Sequence, residues 1–289
     1  VMSSYSESQI SASQTSFVSQ QSQNTSISSA SSSYTVPSLT DVLCKEMKAI
    51  PGGEFSQSDI QGNGFIHSIT DLGFMIGVYE ITYELWYVVR QWAIVNGYQF
   101  ANAGREGNDG MIGAVPTSAK YEPVTEINWR DAIVWCNAYS QMNGMKPAYF
   151  SDEGCTIPIK DSRDGSYAES VNTMAGSFDC PYVDWNGPGY RLPSEGEWQY
   201  AARRIGVSTW LPVNYASGAS ASVQQAAATS LVAWYNGNSG GTTRTVGAKN
   251  PNAMGLYDMS GNVTEWCHDW SWTWPVTSQA DYRGPAFWS

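Results

Sequence analysis

Over the first 40 residues the chain carries no sustained hydrophobic pattern. Isolated apolar positions such as Ile10, Phe17, Val18 and Ile27 are scattered among 16 serines and several glutamines, and Glu7 is the one charge. Such a stretch buries too little apolar surface to offset its conformational entropy, and it reads as a tether or as an arm lying on the neighbouring domain. From Asp41 onward the pattern becomes globular, which divides the chain into an arm, 1–40, and a domain, 41–289. Residues 47–55 (MKAIPGGEF) predict a strand entering a Pro-Gly turn, and 74–81 (FMIGVYEI) predict a second, apolar strand. Thr82 is placed to cap a helix in which Leu85, Trp86, Val89 and Ala93 recur at three- and four-residue spacing until Gly97. A second helix starts near Asn128, with Asp131 in its first turn and Ala132, Cys136 and Tyr139 on one stripe, and stops at Gly144. In 191–204 (RLPSEGEWQYAARR) Pro193 ends a strand. Ser194 and Glu197 have capping-box spacing, and Trp198, Ala201 and Ala202 form an apolar face. Short helices separated by Gly-, Asn- and Trp-rich segments define an α+β class dominated by loops. No repeat of 20 to 50 residues is visible, which argues against solenoids and propellers.

Composition narrows the function classes. The 13 tryptophans and 27 glycines are the main signal, set against only 14 % charged residues. With 26 acids against 15 bases the net charge is -11, and no Lys or Arg precedes Lys45, so a nucleic-acid partner is disfavoured. The longest uncharged stretch, 205–243, is rich in Ser, Gln, Asn and Gly and does not read as a transmembrane helix. No secretion signal is legible, as expected for mature-form numbering. Cys44, Cys136, Cys155, Cys180 and Cys267 form no C-x-x-C pair, and His67 and His268 lie far apart, which excludes a structural zinc pattern. Cys155 and Cys180 flank a polar segment; they pair in an oxidising compartment or remain free thiols. Cys136 and Cys267 read as small buried residues beside Trp135 and Trp266. There is no G-x-x-x-x-G-K-[ST] nucleotide loop and no G-x-S-x-G hydrolase elbow.

The densest chemistry lies in 250–274 (NPNAMGLYDMSGNVTEWCHDWSWTW). Asp258 and Glu265 supply carboxylates, and Gly261-Asn262 permits a tight turn between them. Side-chain and carbonyl oxygens are what Ca²⁺ requires, while the same pattern also serves a metal-free turn. IPGGEF, IGVYEIT, PVTEINWRDAIVWCNAYS, GYRLPSEGEWQYAARR and NAMGLYDMSGNVTEW stand in the order found in the formylglycine-generating-enzyme (sulfatase-modifying factor) family, which the chain resembles from about residue 45 to 289. The resemblance implies the family's variant of the C-type lectin fold, with Trp129, Trp135, Trp198, Trp234 and Trp266 in its core. It also implies calcium held by Asp258, Gly261, Val263 and Glu265; the family's other calcium site is not legible in 234–241.

Activity transfers less readily. The family's oxidases bind copper through a cysteine pair after an RGGSW-like strand, whereas 281–289 reads DYRGPAFWS, so that region is expected beyond Ser289 and no copper is expected here. The iron sulfoxide synthases sharing the fold carry a His-rich iron domain that two histidines cannot build. Cys267 is not expected to be catalytic, because on a strand it and His268 would face opposite sides. The chain is most similar to the family's non-catalytic branch of retroelement-diversified variable proteins. That resemblance implies an exported, surface-displayed lipoprotein, on the cell surface or outer membrane. It would be a monomer that binds a protein or carbohydrate ligand and meets the membrane only through a lipid anchor. Trp270, Trp272, Trp274, Phe287 and Trp288 are the candidate ligand-binding residues, since aromatic side chains on loops give large contact area at small entropic cost. The alternatives are a formylglycine-generating oxidase whose catalytic C-terminal segment lies beyond Ser289 and a structural envelope lipoprotein.

Overall fold

The computed structural model describes residues 3–4, 37–38, 42–70, 72–163, 171–271, 273 and 275–285. Trp272, Trp274, Phe287 and Trp288 lie outside the described residues, so of the expected ligand-binding set only Trp270 can be located.

Two small three-stranded sheets frame the body. In the first, β2 (Met47–Ile50) pairs antiparallel with β5 (Phe74–Gly77), whose other edge takes β1 (Ser3–Ser4). In the second, β3 (Gly53–Ser58) and β4 (Gly64–Ile69) form a hairpin, and β10 (Gln279–Ala280) adds to β4 in parallel. The remaining strands form two-residue pairs, β6 (Arg105–Glu106) with β7 (Val124–Thr125) and β8 (Tyr149–Phe150) with β9 (Tyr182–Val183). This is the loop-dominated α+β architecture expected. No described helix is long and apolar enough to cross a membrane.

The three anticipated helices form, the first and third with the anticipated caps and the second with a capping box not anticipated. In α1 (Tyr83–Val95) the Thr82 hydroxyl accepts from the Leu85 amide. In α2 (Trp129–Met142) Asn128 and Asp131 close a reciprocal capping box, as Ser194 and Glu197 do in α3 (Glu195–Arg203), so the orphan donors of both first turns are satisfied by side chains. The faces of α1 and α2 pack on each other through Trp86 and Trp135, both about 1 % exposed, with rings stacked 5.6 Å apart at 6°. Each buried indole contributes roughly 5 kcal/mol of gross transfer free energy. A second core places α3 on the sheets through Tyr200, Ala201, Phe55, Phe74 and Ile76.

Several expectations need correction. The strand expected over 74–81 ends at Gly77, where the chain bends and delivers Glu80 to a distant loop. No strand precedes Pro193. The amides of Tyr190 and Leu192 donate to the Ser140 and Tyr149 hydroxyls, on either side of an isolated β-bridge at Arg191. Residues 266–269 are not a strand either, which removes the opposite-face argument about Cys267 and His268. Trp266 is not core but 47 % exposed, and Trp129, Trp198 and Trp234 are half-buried, leaving Trp135 alone of those five fully enclosed. Strand β4 and a fourth helix, α4 (Ala226–Val232), were not anticipated. All five cysteines are free, which is the second of the two readings open for Cys155 and Cys180.

A candidate ligand cleft beside a candidate metal loop

The loop of residues 258–265 is shaped by backbone geometry that few residues tolerate. Asp258, Gly261 and Asn262 all have positive φ (55°, 96° and 54°). At Gly261 a Cβ would lie 2.0 Å from the Trp234 carbonyl oxygen, so the close approach of the two segments requires glycine. Asn262 is the hub of the turn. Its amide donates to the Trp234 carbonyl (2.9 Å) and its Oδ1 accepts from the Arg244 amide (2.9 Å). Its Nδ2 donates to Glu80 Oε2 (2.7 Å) and to the Arg244 carbonyl (3.0 Å).

Asp258, Gly261, Val263 and Glu265, the four residues expected around calcium, line one cavity of about 330 Å³. Asp258 is 2 % exposed. Its Oδ2 accepts from the Gly247 amide (2.7 Å), while its Oδ1 is buried with no hydrogen-bond partner. Burial pushes the Asp258 carboxyl above its ordinary range, and the nearby Glu265 adds to that. Glu80, also about 2 % exposed, is raised well above the usual carboxylate range by burial and then by the charges of Glu265 and Asp258. The carboxyls of Asp258 and Glu265 act electrostatically on that of Glu80, and the orphaned Asp258 oxygen is of the kind a hard cation accepts. Among the described residues no three His, Cys, Asp or Glu side chains form a metal-ligand group by themselves, so backbone oxygens would have to complete the shell.

Beside this loop opens a cleft of about 940 Å³, whose wall is the segment 266–271 and whose floor is the start of α2. The floor is organised by Asp131, which is fully buried. It accepts from the Asn128 amide of the capping box (3.1 Å), the Ser162 hydroxyl (2.6 Å) and Asn102 Nδ2 (2.7 Å), tying two separate loops to one helix N-terminus. Arg130 is clamped on Asp179 by two bonds of 2.6 Å. The wall is attached largely through its backbone. The Cys267 carbonyl accepts from Trp129 Nε1 (2.9 Å) and the His268 amide donates to the Pro193 carbonyl (2.8 Å). The Asp269 carboxylate accepts from the Glu195 amide at the start of α3 (2.5 Å). The His268 ring is wedged beside Trp185, Tyr149 and Trp129; burial, and then Arg191, lowers it to about 3, so it is neutral. Burial raises the Asp269 carboxyl to about 7. Trp266 and Trp270 both line the cleft. Sequence reasoning placed Trp270 at the site but missed Arg130, Asp179 and Asn102, which no local motif marks.

The thiols do not form a reactive centre. Burial pushes Cys136 up to about 12, and Cys44 and Cys180 to about 11; Cys267 is raised further, also by burial first. Thiolates carry cysteine chemistry, and none of these four is poised to form one near neutrality.

Short helices and strands on a loop-rich body, with a tight Gly-Asn loop before the C-terminal segment, define a C-type-lectin-type domain of the formylglycine-generating-enzyme kind. Residues 33–287 match the sulfatase-modifying factor enzyme 1-like domain, and the chain belongs to that family. Treponema denticola variable protein 1 superposes with a TM-score of 0.58 at 31 % identity, over 83 % of this chain and 78 % of that one. CarF superposes with a TM-score of 0.57 at 26 % identity, over 78 % of this chain and 80 % of that one. The chaperone protein LppX of Paenibacillus barcinonensis is 28 % identical over 257 residues, which is 82 % of this chain and 76 % of LppX.

Proposed function

We propose that the protein is a non-enzymatic ligand-binding module, exported and displayed at the cell surface or outer membrane through a lipid anchor. Its variable face is the wall of the 940 Å³ cleft. The observation that carries this reading is the mode of attachment of 266–270: backbone groups, the Asp269 carboxylate and the wedged His268 ring hold the segment, while Trp270 lines the cleft and Trp266 lines it with its ring N–H on the Ile127 carbonyl (3.4 Å). Side chains at such positions can change without altering what holds the segment, as diversification by a retroelement requires. The similarity to a treponemal variable protein supports the same reading. The ligand is a protein or carbohydrate, met by a monomer. An oxidase reading finds no support in Cys267 at the cleft, whose thiol burial shifts away from reactivity.

Two tests bear on this. Incubated with copper, oxygen and a sulfatase cysteine peptide, the protein is expected to leave the peptide's mass unchanged, whereas conversion to formylglycine overturns the non-enzymatic reading. The genomic neighbourhood is expected to hold a variable repeat and a reverse transcriptase.

Calcium belongs to the same proposal, with Asp258 and Glu265 side chains and the Gly261 and Val263 carbonyls as its oxygen donors. Bound only by the folded state, it would raise the melting temperature by mass action. Glu265→Ala is expected to lower the melting temperature and to abolish its calcium dependence. Wild-type melting that does not respond to a chelator contradicts a bound metal.

A further inference from the structure

The charged side chains that line the 940 Å³ cleft are matched within the protein. Arg130 is clamped on Asp179, Arg163 reaches Asp161 through two bonds of 3.0 Å, and the Asp269 carboxylate takes the Glu195 amide. The His268 ring is neutral. The described lining therefore selects neither an anion nor a cation.

What the lining leaves unbonded is neutral. The Asn128 Oδ1 accepts from the Asp131 amide (2.8 Å), and the Asn102 Nδ2 donates to the Asp131 carboxylate (2.7 Å), so Asp131 fixes which way both carboxamides are turned. At their other ends the Asn128 Nδ2, a donor, and the Asn102 Oδ1, an acceptor, have no partner among the described residues, and neither has the Trp270 ring N–H. Trp129 and Trp266 line the same cleft with their N–H groups already on the Cys267 and Ile127 carbonyls, which leaves them ring surface to offer.

This lining fits some ligand chemistries poorly. An apolar molecule would cover the two carboxamide ends without bonding them. A peptide strand needs main-chain partners, yet the Cys267 carbonyl and the His268 amide of the wall are spent on Trp129 and on the Pro193 carbonyl. A pyranose with equatorial hydroxyls meets each demand. It is uncharged, its hydroxyls both donate and accept, and its two faces carry only C–H groups that can lie flat on an indole. The cleft is at the upper end of small-molecule sites, about 300 to 1,000 Å³, and has room for more than one such ring.

We infer that the cleft binds a neutral oligosaccharide of β-linked pyranoses with equatorial hydroxyls, stacked on Trp266 and Trp270 and bonded by the Asn102 and Asn128 carboxamides. The inference rests on the proposed reading of this cleft as the ligand-binding face and chooses carbohydrate over protein as its ligand.

The probes are cellotriose and triacetylchitotriose, titrated calorimetrically into the full chain; sorbitol, which has the hydroxyls without a ring face, is the control. One-to-one binding of at least one trisaccharide is expected, at least tenfold tighter than that of sorbitol. Trp270→Ala is expected to weaken it at least fivefold. Asn128→Ser, which keeps an N-cap acceptor for the Asp131 amide but lacks the carboxamide donor, should do the same, and Trp266→Ala serves if that variant fails to fold. No binding of either trisaccharide at millimolar concentration overturns the inference and leaves protein as the ligand class of the cleft. Sorbitol bound as tightly as the trisaccharides, or wild-type binding by Trp270→Ala, overturns it too. The underlying reading fails on a different result, conversion of the sulfatase peptide to formylglycine, which involves no sugar.

Discussion

Asn137→Leu is expected to destabilise the domain by about 3 to 5 kcal/mol. Asn137 is fully buried in α2 and stitches two loops to that helix. Its Nδ2 donates to the carbonyls of Tyr149 (2.8 Å) and Ile159 (2.9 Å), and its Oδ1 accepts from the amides of Ala148 (3.1 Å) and Tyr149 (3.0 Å). Leucine has a similar volume and would fill the space, so the effect isolates the polar loss. Two backbone N–H groups would be left buried without partners, each costing about 1 to 3 kcal/mol, and the Ile159 carbonyl would lose its bond as well. In a domain of this size each kcal/mol moves the melting temperature by about 2 to 4 °C, so a fall on the order of 10 °C is expected in a thermal melt. A change under 1 kcal/mol would mean that water or a backbone shift satisfies those amides.

The second large effect is expected at Arg191. This guanidinium is about 1 % exposed, grips Glu197 through bonds of 2.6 and 2.7 Å and lies 4.6 Å from the Trp185 ring. Burial alone would raise the Glu197 carboxyl; Arg191 more than offsets it and holds the group below its ordinary value. Arg191→Met leaves that carboxylate buried and unpaired, and breaking a buried pair by removing one partner costs about 3 to 5 kcal/mol. Glu197 also accepts from the Ser194 amide (2.8 Å), so the start of α3 is disturbed with it. The pH dependence has a definite sign. A carboxyl depressed in the folded state contributes stability above its unfolded value and loses it as the pH falls. The variant should therefore be penalised most near neutrality and converge on wild type in acid. The double variant Arg191→Met/Glu197→Gln should recover part of the loss in urea denaturation, and no recovery would show that the guanidinium acts through packing on Trp185 instead.

What could be read directly from the chain was whatever is encoded within a few residues. The Ser194/Glu197 box and the Thr82 cap each satisfy a helix start within three positions and formed where the spacing placed them, and the second helix begins near Asn128 as expected. Strand β4 escaped because its inward residues include His67, whose neutral ring is bonded to Gln57 and to the Tyr282 amide, while Ile66 faces out at 45 % exposure; the apolar alternation is inverted by one buried polar group. Helix α4 has no side-chain cap at Gln225 and so no start signal. Glu80 stood in an apolar run with no visible purpose, because its partner Asn262 is 182 residues away.

The candidate site divides in the same way. The four residues expected around calcium lie within eight positions and line one cavity, since their spacing is a property of a single loop. The cleft is assembled from 101–102, 128–130, 162–163, 179 and 266–271, a set joined only by tertiary bonds such as those of Asp131 and Asp179. Trp266 was misassigned to the core because tryptophan's usual burial outweighed its place at the end of a surface loop.

The central claim is that the fold does not depend on the side chains of its binding face, and the most direct measurement is thermal melting of the double variant Trp266→Ser/Trp270→Ser beside wild type and Asn137→Leu. With Trp266 47 % exposed and Trp270 half-buried on a segment held chiefly by other groups, the two substitutions should cost no more than about 1 kcal/mol together, leaving the melting temperature within about 4 °C of wild type while Asn137→Leu falls by about 10 °C or more. A double variant that melts as low as Asn137→Leu would contradict the account, because those tryptophans would then be holding the fold together and could not serve as a freely diversified face.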